Sequence, residues 1–295
     1  MKDEELGMRN EELKDNKNIF SLLTPNSSLL THEVFWLASY ALGLSSSELM
    51  ARKNFSADEI AKINALIKRR QAHEPLQYIM GVADFYGRDF EVGPGVLIPR
   101  HDTETLIEAA KKIFPKDAKF TFLDWGTGSG CIAITLLLEF PNSFAYMLDA
   151  SPEAIKYSKK NLSRFDLKHR AKLITDINQI EENNSALDLI ISNPPYIPSH
   201  EIENLMPEVK NHEPILALDG GSDGMNFYKL IFEQAEYILK NDNNKHTKNI
   251  ILEAGDFEQV QKLKTLDESF TFVNQILDTG NFPRALIFRK IKQAI

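Results

Sequence analysis

Apolar residues first recur at three- and four-residue spacing, and the period then changes along the chain. Val34, Leu37, Ala38, Ala41 and Leu42 form one helical stripe, and Gly43 stops it. Ser45-Ser46-Ser47 can cap a second helix. Ser56-Ala57-Asp58-Glu59 caps a third, ahead of Ile60, Ile63, Leu66 and Ile67. The helical pattern runs from Ile19 to about Gln71. Between Pro75 and Pro99 the texture becomes alternating, and Phe85 to Val92 reads as a hairpin before Gly93-Pro94-Gly95. From Asp102 onward, strands and helices alternate. The expected strands are Phe120–Asp124, Phe144–Asp149, Lys172–Thr175, Leu187–Ser192, Asn249–Glu253, Phe270–Leu277 and Arg284–Arg289. The expected helices are Cys131–Glu139, Pro152–Asn161, Asn226–Lys240 and Phe257–Leu266. This rhythm implies βαβ units and a mostly parallel sheet with helices on both faces, an α/β fold. A Gly280 turn, not a helix, joins the last two strands, so one of them should run antiparallel to the rest. The pattern divides the chain into an extension over 1–18, a helical unit over 19–74, a hairpin connector over 75–100 and an α/β domain over 101–295. Polar loops are expected at Glu181–Ser185 and Asn241–Lys248.

Composition narrows the class. Of 295 residues, 43% are hydrophobic and 26% charged, ordinary for a globular protein. The one cysteine, Cys131, excludes an internal disulfide and fits a reducing compartment. No apolar run approaches the roughly 20 residues a membrane helix needs. Met1 to Asn18 carries many charges of both signs and lacks the apolar core of a secretory signal, so a cytoplasmic protein with a solvated extension is expected. The formal charge of −8, from 42 acidic and 34 basic residues, argues against a duplex as substrate, which needs a basic face, and favours a protein or small molecule. Lys68-Arg69-Arg70 is the one tight basic cluster and reads as a solvated helix end that suits the helix dipole.

Two strand ends carry candidate chemistry. Gly126-Thr127-Gly128-Ser129-Gly130 follows the first strand of the alternating region and opens a helix at Cys131. Glycines let such a turn bend sharply and approach a ligand, while the helix start supplies oriented N–H groups. The spacing departs from the dinucleotide Gly-x-Gly-x-x-Gly and fits a loop holding the amino-acid end of S-adenosylmethionine. Asp149 ends the next strand, where a carboxylate can accept two ribose hydroxyls. Asp176 and Ile177 would flank an adenine, or serve as ordinary turn residues. Cys131 reads as a space-filling helix residue.

The other strand end is Asn193-Pro194-Pro195-Tyr196, after the apolar run Leu187 to Ser192. Two successive prolines hold the backbone extended and fixed. The Asn193 side-chain carbonyl and neighbouring backbone carbonyls can accept hydrogen bonds from one planar NH2 group, and Tyr196 offers a flat wall. Such a grip suits N-methylation of an amide or an exocyclic amine.

Taken together, these motifs resemble the class I methyltransferases that modify the glutamine of the Gly-Gly-Gln loop in bacterial peptide chain release factors (HemK/PrmC type). The resemblance spans about Leu29 to Arg289. It rests on Glu74-Pro75-Leu76-Gln77-Tyr78-Ile79-Met80-Gly81, Leu97-Ile98-Pro99-Arg100-His101-Asp102-Thr103-Glu104, Asn193 to Pro198, Glu213-Pro214 and Ala217 to Gly224. It implies a Rossmann-like, seven-stranded domain that binds S-adenosylmethionine, with no metal, and a small helical N-terminal domain that docks the release factor. Carried over by position, Gly126, Thr127, Gly128, Ser129, Gly130, Asp149, Ile177 and Asn193 would contact the cofactor. Asn193, Pro194, Pro195 and Tyr196 would bind the glutamine, with Asn193, Pro194 and Tyr196 catalytic. Arg100 and Glu104 would brace the domain junction or the cofactor edge. Trp125 replaces a small aliphatic residue usual in the loop, and Ile177 stands where an aromatic often covers the adenine. The expected partner is a release factor, acted on by a monomer without a stable nucleic-acid partner. Rival acceptors are a ribosomal-protein glutamine and, through the same planar NH2, an adenine N6 of DNA or RNA. A non-catalytic binding module that kept the fold is the rival outside enzymes.

Overall fold

The computed structural model describes residues 31–180, 187–239 and 247–291. The expected extension over 1–18, the start of the helical pattern, the loop at 181–185 and most of the loop at 241–248 lie outside them. Three helices come first: α1 (Thr31–Leu42), α2 (Ser46–Ala51) and α3 (Ala57–Gln71). Both serine caps form as reciprocal capping boxes, Ser45 with Glu48 and Ser56 with Glu59. Val34, Phe35, Leu37, Ala38, Leu49, Ile63 and Ile67 bury one another in a core separate from that of the sheet.

A short helix α4 (Leu76–Met80) leads into the hairpin β1 (Val82–Phe85) and β2 (Arg88–Glu91). Tyr86 and Gly87 both have positive φ, +55° and +67°, the backbone a tight two-residue hairpin turn requires. A helix absent from the expected elements, α5 (Glu104–Ile113), follows; it buries Leu106, Ile107, Ala109 and Ala110 against the sheet. Its apolar stripe is brief and begins inside a polar motif, so its period is masked.

The main sheet has seven strands: β3 (Thr121–Trp125), β4 (Phe144–Leu148), β5 (Ala171–Ile174), β6 (Leu189–Ser192), β7 (Asn249–Glu253), β8 (Phe270–Leu277) and β9 (Pro283–Lys290). Their spatial order is β5-β4-β3-β6-β7-β9-β8, and β9 alone runs against its neighbours. The helices are α6 (Cys131–Glu139), α7 (Pro152–Arg164), α8 (Pro207–His212), α9 (Asn226–Ile238) and α10 (Phe257–Leu263). Strand residues alternate between two buried clusters, Phe122 and Ile191 in one, Leu123 and Ile190 in the other. Helices α5, α6 and α7 cover the first face, α9 and α10 the second.

The connectivity reverses between β3 and β6. From β3 the chain builds outward through β4 and β5, then returns to lay β6 on the other side of β3. Loops leaving the carboxyl ends of β3 and β6 therefore diverge and open a crevice, the usual ligand position in an open α/β sheet. Both candidate motifs leave from these two ends.

The basic cluster lies in the last turn of α3 with Lys68 and Arg69 exposed, as expected, while Arg70 is largely buried in ion pairs. Arg69 pairs with Glu74, while Arg70 bridges Glu33 of α1 (2.8 Å) and Glu208 of α8 (2.6 Å). Arg70 thus ties the helical unit to the segment that follows the Asn-Pro-Pro-Tyr motif.

Candidate active site

A cavity of about 570 Å³ fills the crevice. Gly126, Thr127, Gly128, Ser129, Asp149, Asp176, Ile177, Asn193, Pro194 and Pro195 line it, together with Trp125 and Thr103. A second cavity, of about 480 Å³, lies beyond the motif and is lined by Tyr196, Ile197, Met206 and Glu213. Asn193, Pro194, Leu97, Arg100 and Ala217 face both. The motif is thus the partition between two chambers, each of a size suited to a small molecule or a side chain.

The loop after β3 is organised by two carboxylates. Asp124 is fully buried; its Oδ2 accepts the Thr127 hydroxyl at 2.6 Å and the Ala133 N–H at 3.2 Å. Burial pushes its carboxyl up to about 7, opposed by those two donors and reinforced by the charge of Asp149. Asp149 accepts the Gly128 N–H and the Ser151 N–H, each at 2.9 Å. Burial also raises its pKa, against these backbone donors. Each oxygen keeps a further lone pair for a ribose hydroxyl.

Gly130 is placed differently from its loop neighbours. It is outside the cavity lining, has φ +84°, and a Cβ there would meet Met147 Cε at 2.8 Å. Its work is to let α6 start hard against the sheet, since the helix turns toward the core, not the crevice. Trp125 finds room as the last residue of β3, one edge on the cavity and the rest against the second core cluster. Its carbonyl accepts the Ser192 hydroxyl at 2.6 Å, which ties the two motif-bearing strand ends together. Ile177 opens a single 3₁₀ turn capped by Asp176, so these residues are both turn-formers and cavity wall. Burial pushes the Cys131 thiol up to about 12, which leaves it un-ionised near neutrality.

The elbow after β6 is clamped from several sides. Asn193 donates its Nδ2 hydrogen to Thr103 Oγ1 at 3.1 Å. The amide is thereby oriented with its NH2 on the protein and its carbonyl oxygen left for a ligand. Tyr196 has its hydroxyl on Glu253 Oε1 at 3.3 Å and its carbonyl on Gln259 Nε2 at 2.7 Å. Burial, with the Glu253 charge next, raises the Tyr196 phenol above its ordinary pKa, so it stays protonated. Gly220, Gly224 and Gly255 press on Tyr196 so closely that a Cβ at any of them would collide with it. The downstream segment backs the elbow through one isolated parallel bridge between Ile197 and Asp219, with Ile197 N–H on Leu218 O and Gly220 N–H on Ile197 O. Glu213 is buried, accepts the Ile98 N–H at 3.1 Å and pairs with Arg100. Glu104 accepts the Tyr86 N–H at 2.8 Å and meets His101. Arg100 thus ties the connector to the segment after α8 while lining both cavities, and Glu104 ties the start of α5 to the hairpin turn.

Family models place this architecture. The Methyltransferase small domain matches residues 102–211, and the PrmC N-terminal domain matches residues 25–81. A release factor glutamine methyltransferase from Geobacter sulfurreducens is 44% identical over 211 residues, covering 70% of this chain and 72% of that one. Another, from Koribacter versatilis, is 36% identical over 238 residues, covering 81% and 82%. The chain belongs to the release factor glutamine methyltransferase family. Its fold is accordingly that of a class I, Rossmann-like methyltransferase, with a helical region before the sheet.

For a member of this family, the residues present fit a bound S-adenosylmethionine. Gly128 has φ +57° and lines the cavity, so the loop backbone borders the crevice without a side chain to fill it. In the sequence, Thr103 and Glu213 stand within motifs without evident partners, Glu253 stands only as the end of a strand and Gln259 only within a helix. Thr103 and Asn193 lie 90 positions apart, and Glu253 lies 57 beyond Tyr196. No local period reports such pairings. A polar residue at the end of an apolar strand, as Glu253 is, was the one available sign. Among the described residues, Asp84, His101 and Glu104 form the one cluster with metal-ligating atoms near one another, and it lies between β1 and the start of α5, outside the lining of either cavity. No helix among them is long and apolar enough to cross a membrane.

Proposed function

We propose that this enzyme transfers the methyl group of S-adenosylmethionine to the side-chain nitrogen of the glutamine in the Gly-Gly-Gln motif of peptide chain release factors. The observation that carries the reading is the partition: Asn193 and Pro194 face both chambers, so a donor in one and an acceptor amide in the other meet at the motif. The names of the relatives favour a release factor over a ribosomal protein or a nucleic acid as acceptor.

S-adenosylmethionine supplies an electrophilic methyl on a positively charged sulfur. The Gly126–Ser129 loop would hold its amino-acid end, Asp149 its ribose hydroxyls, and Ile177 with Asp176 the edge of its adenine. An amide nitrogen is a weak nucleophile because its lone pair is delocalised into the carbonyl. Asn193 Oδ1 and the Pro194 carbonyl would accept the two N–H bonds of the glutamine and aim its nitrogen at the methyl. Acceptors fixed in that position favour the positive charge that builds on nitrogen. Holding both reactants at attack distance contributes roughly 7–11 kcal/mol to lowering the barrier. The nitrogen–carbon bond forms as the sulfur–carbon bond breaks, sulfur becomes neutral, and the nitrogen releases one proton to water after it has turned acidic. Tyr196 walls the acceptor chamber.

The division of labour follows: residues 19–74 dock the release factor, 75–100 connect, and 101–295 carry the chemistry. The enzyme acts as a monomer in the cytoplasm and needs no stable nucleic-acid partner. Incubation with labelled S-adenosylmethionine and a purified release factor tests the assignment. Label should enter the factor with its natural glutamine and not a Gln-to-Ala variant. Asn193→Ala should lose about 10²-fold or more in turnover while binding the donor within a few fold. Equal labelling of both factors would overturn the assignment.

A further inference from the structure

Six polar side chains line the second cavity, and five of them hold partners within the fold. Asn193 is bonded to Thr103, Tyr196 to Glu253, Glu208 to Arg70, and Arg100 and Glu213 to each other. Gln77 is the sixth, and among the described residues its side chain makes no hydrogen bond. Its support is rigid. Gln77 sits in α4, where Tyr78 donates its hydroxyl to the Val96 carbonyl at 2.6 Å and Ile79 is buried in the core of the helical unit. The Gln77 carbonyl accepts the Gly81 N–H at 2.7 Å, so the backbone is engaged while the side-chain amide is free. We propose that Gln77 is a substrate-binding residue that pairs with the backbone of the acceptor segment, at the glycines beside the methylated glutamine. This deepens the function proposed above and rests on it.

The Gln77 side chain is half-buried and lines the acceptor chamber. Whatever fills that chamber strips water from the amide, and an amide left unpaired then costs about as much as a lost hydrogen bond. An apolar side chain of the same length would line the wall without that cost. The occupant must therefore bring a donor and an acceptor of its own. A peptide group does so: its C=O accepts from the Gln77 NH2, and its N–H donates to the Gln77 side-chain carbonyl. The acceptor's own side-chain amide cannot do both, because its two N–H bonds are held by Asn193 and Pro194 in the proposed transfer. Glycines suit the contact, since without a Cβ their peptide groups can be approached from the side. The volume agrees. About 480 Å³ lies in the range that takes a drug-sized ligand, more than one glutamine side chain occupies. Gln77 belongs to the connector and the elbow to the α/β domain, so both build the acceptor chamber.

Gln77→Met keeps the length of the side chain and removes both hydrogen-bonding groups. In the full-length protein it should raise KM for a purified release factor about 5- to 100-fold, with the smaller share of the loss in kcat. The calorimetric donor Kd and the thermal unfolding midpoint should stay as in the parent. A release factor with Gln-to-Ala in its Gly-Gly-Gln motif keeps the backbone and loses the acceptor. As a competitive inhibitor, its Ki should rise in Gln77→Met by the same factor as KM. A parental KM in the variant, with the parent enzyme active, sinks this inference alone. A raised KM with an unchanged Ki overturns it too, because Gln77 would then meet the acceptor side chain and not the backbone. So does a shifted unfolding midpoint or donor Kd, the mark of a merely structural role. If the parent leaves the release factor unlabelled, the functional reading itself falls, and this inference with it.

Discussion

Thr103→Val isolates the orienting bond at the elbow. The substitution keeps the branched shape of a side chain that is 2% exposed and removes the oxygen accepting from Asn193 Nδ2 at 3.1 Å. Loss of one neutral hydrogen bond costs about 0.5–1.5 kcal/mol net. Asn193 is half-buried and lines both chambers, so its released NH2 can rotate toward solvent in either and escape the full penalty of an unpaired buried donor. Rotation swaps NH2 for oxygen at the position where the acceptor amide must be held. The loss therefore falls on the chemical step, and at 1.36 kcal/mol per tenfold it amounts to roughly 2- to 12-fold in rate. Asn193→Ala deletes the acceptor itself and should lose about 10²-fold, so Thr103→Val must lie between it and the parent. Single-turnover methylation at saturating donor and release factor measures this directly, with calorimetric donor titration as the control. A parental rate in Thr103→Val would refute the orienting role. So would a loss equal to that of Asn193→Ala with fold and donor affinity intact, since the bond would then be more than an anchor.

Two further outcomes follow from the loop after β3. Gly130→Ala forces a side chain onto φ +84° and against Met147 Cε at 2.8 Å, and should lower stability by about 2–5 kcal/mol in urea unfolding; a loss below about 0.5 kcal/mol would show the α6 start to be slack. Asp124 carries its signature in pH: its carboxyl, ordinarily 3.8, is held at about 7 in the fold. Between about pH 4 and 7 the unfolded chain has shed this proton while the native state retains it, so this group's contribution to stability falls as pH rises through that window and is level above it. Asp124→Asn removes that slope, and its stability relative to the parent should climb from pH 4.5 to pH 7.5; a pH-independent difference would refute the buried, proton-retaining state.

The long apolar runs were legible because burial on both faces leaves a continuous hydrophobic signature, as in β6 and β7, where nearly every residue is buried. The serine caps were legible because their partners lie three residues away. Helix α5 was not, since its buried face is only a few residues long and begins within the Asp102-Thr103-Glu104 motif. Arg70 read as part of a solvated end, like its exposed neighbours Lys68 and Arg69, because nothing local announces that Glu208 will come to meet it across 138 positions. Gly130 read as one more loop glycine, although its constraint is the methionine behind it. Expected strand edges shifted by a residue or two where hydrogen-bond register, not hydrophobicity, ends the pairing, as at Thr121–Trp125.

From residue order alone came the α/β alternation, the helical unit before it, the two motif-bearing strand ends, and the family to which those motifs point. These depend on local spacing and on burial, and both leave a periodic trace in a one-dimensional string. Only the folded sheet decided which ends became neighbours. The reversal between β3 and β6 set the glycine loop beside Asn193, placed the motif between two chambers, and drew Thr103 and Glu253 in behind it. Such contacts are fixed by strand order and register, quantities that no periodicity encodes, because a side chain is buried alike whichever partner covers it.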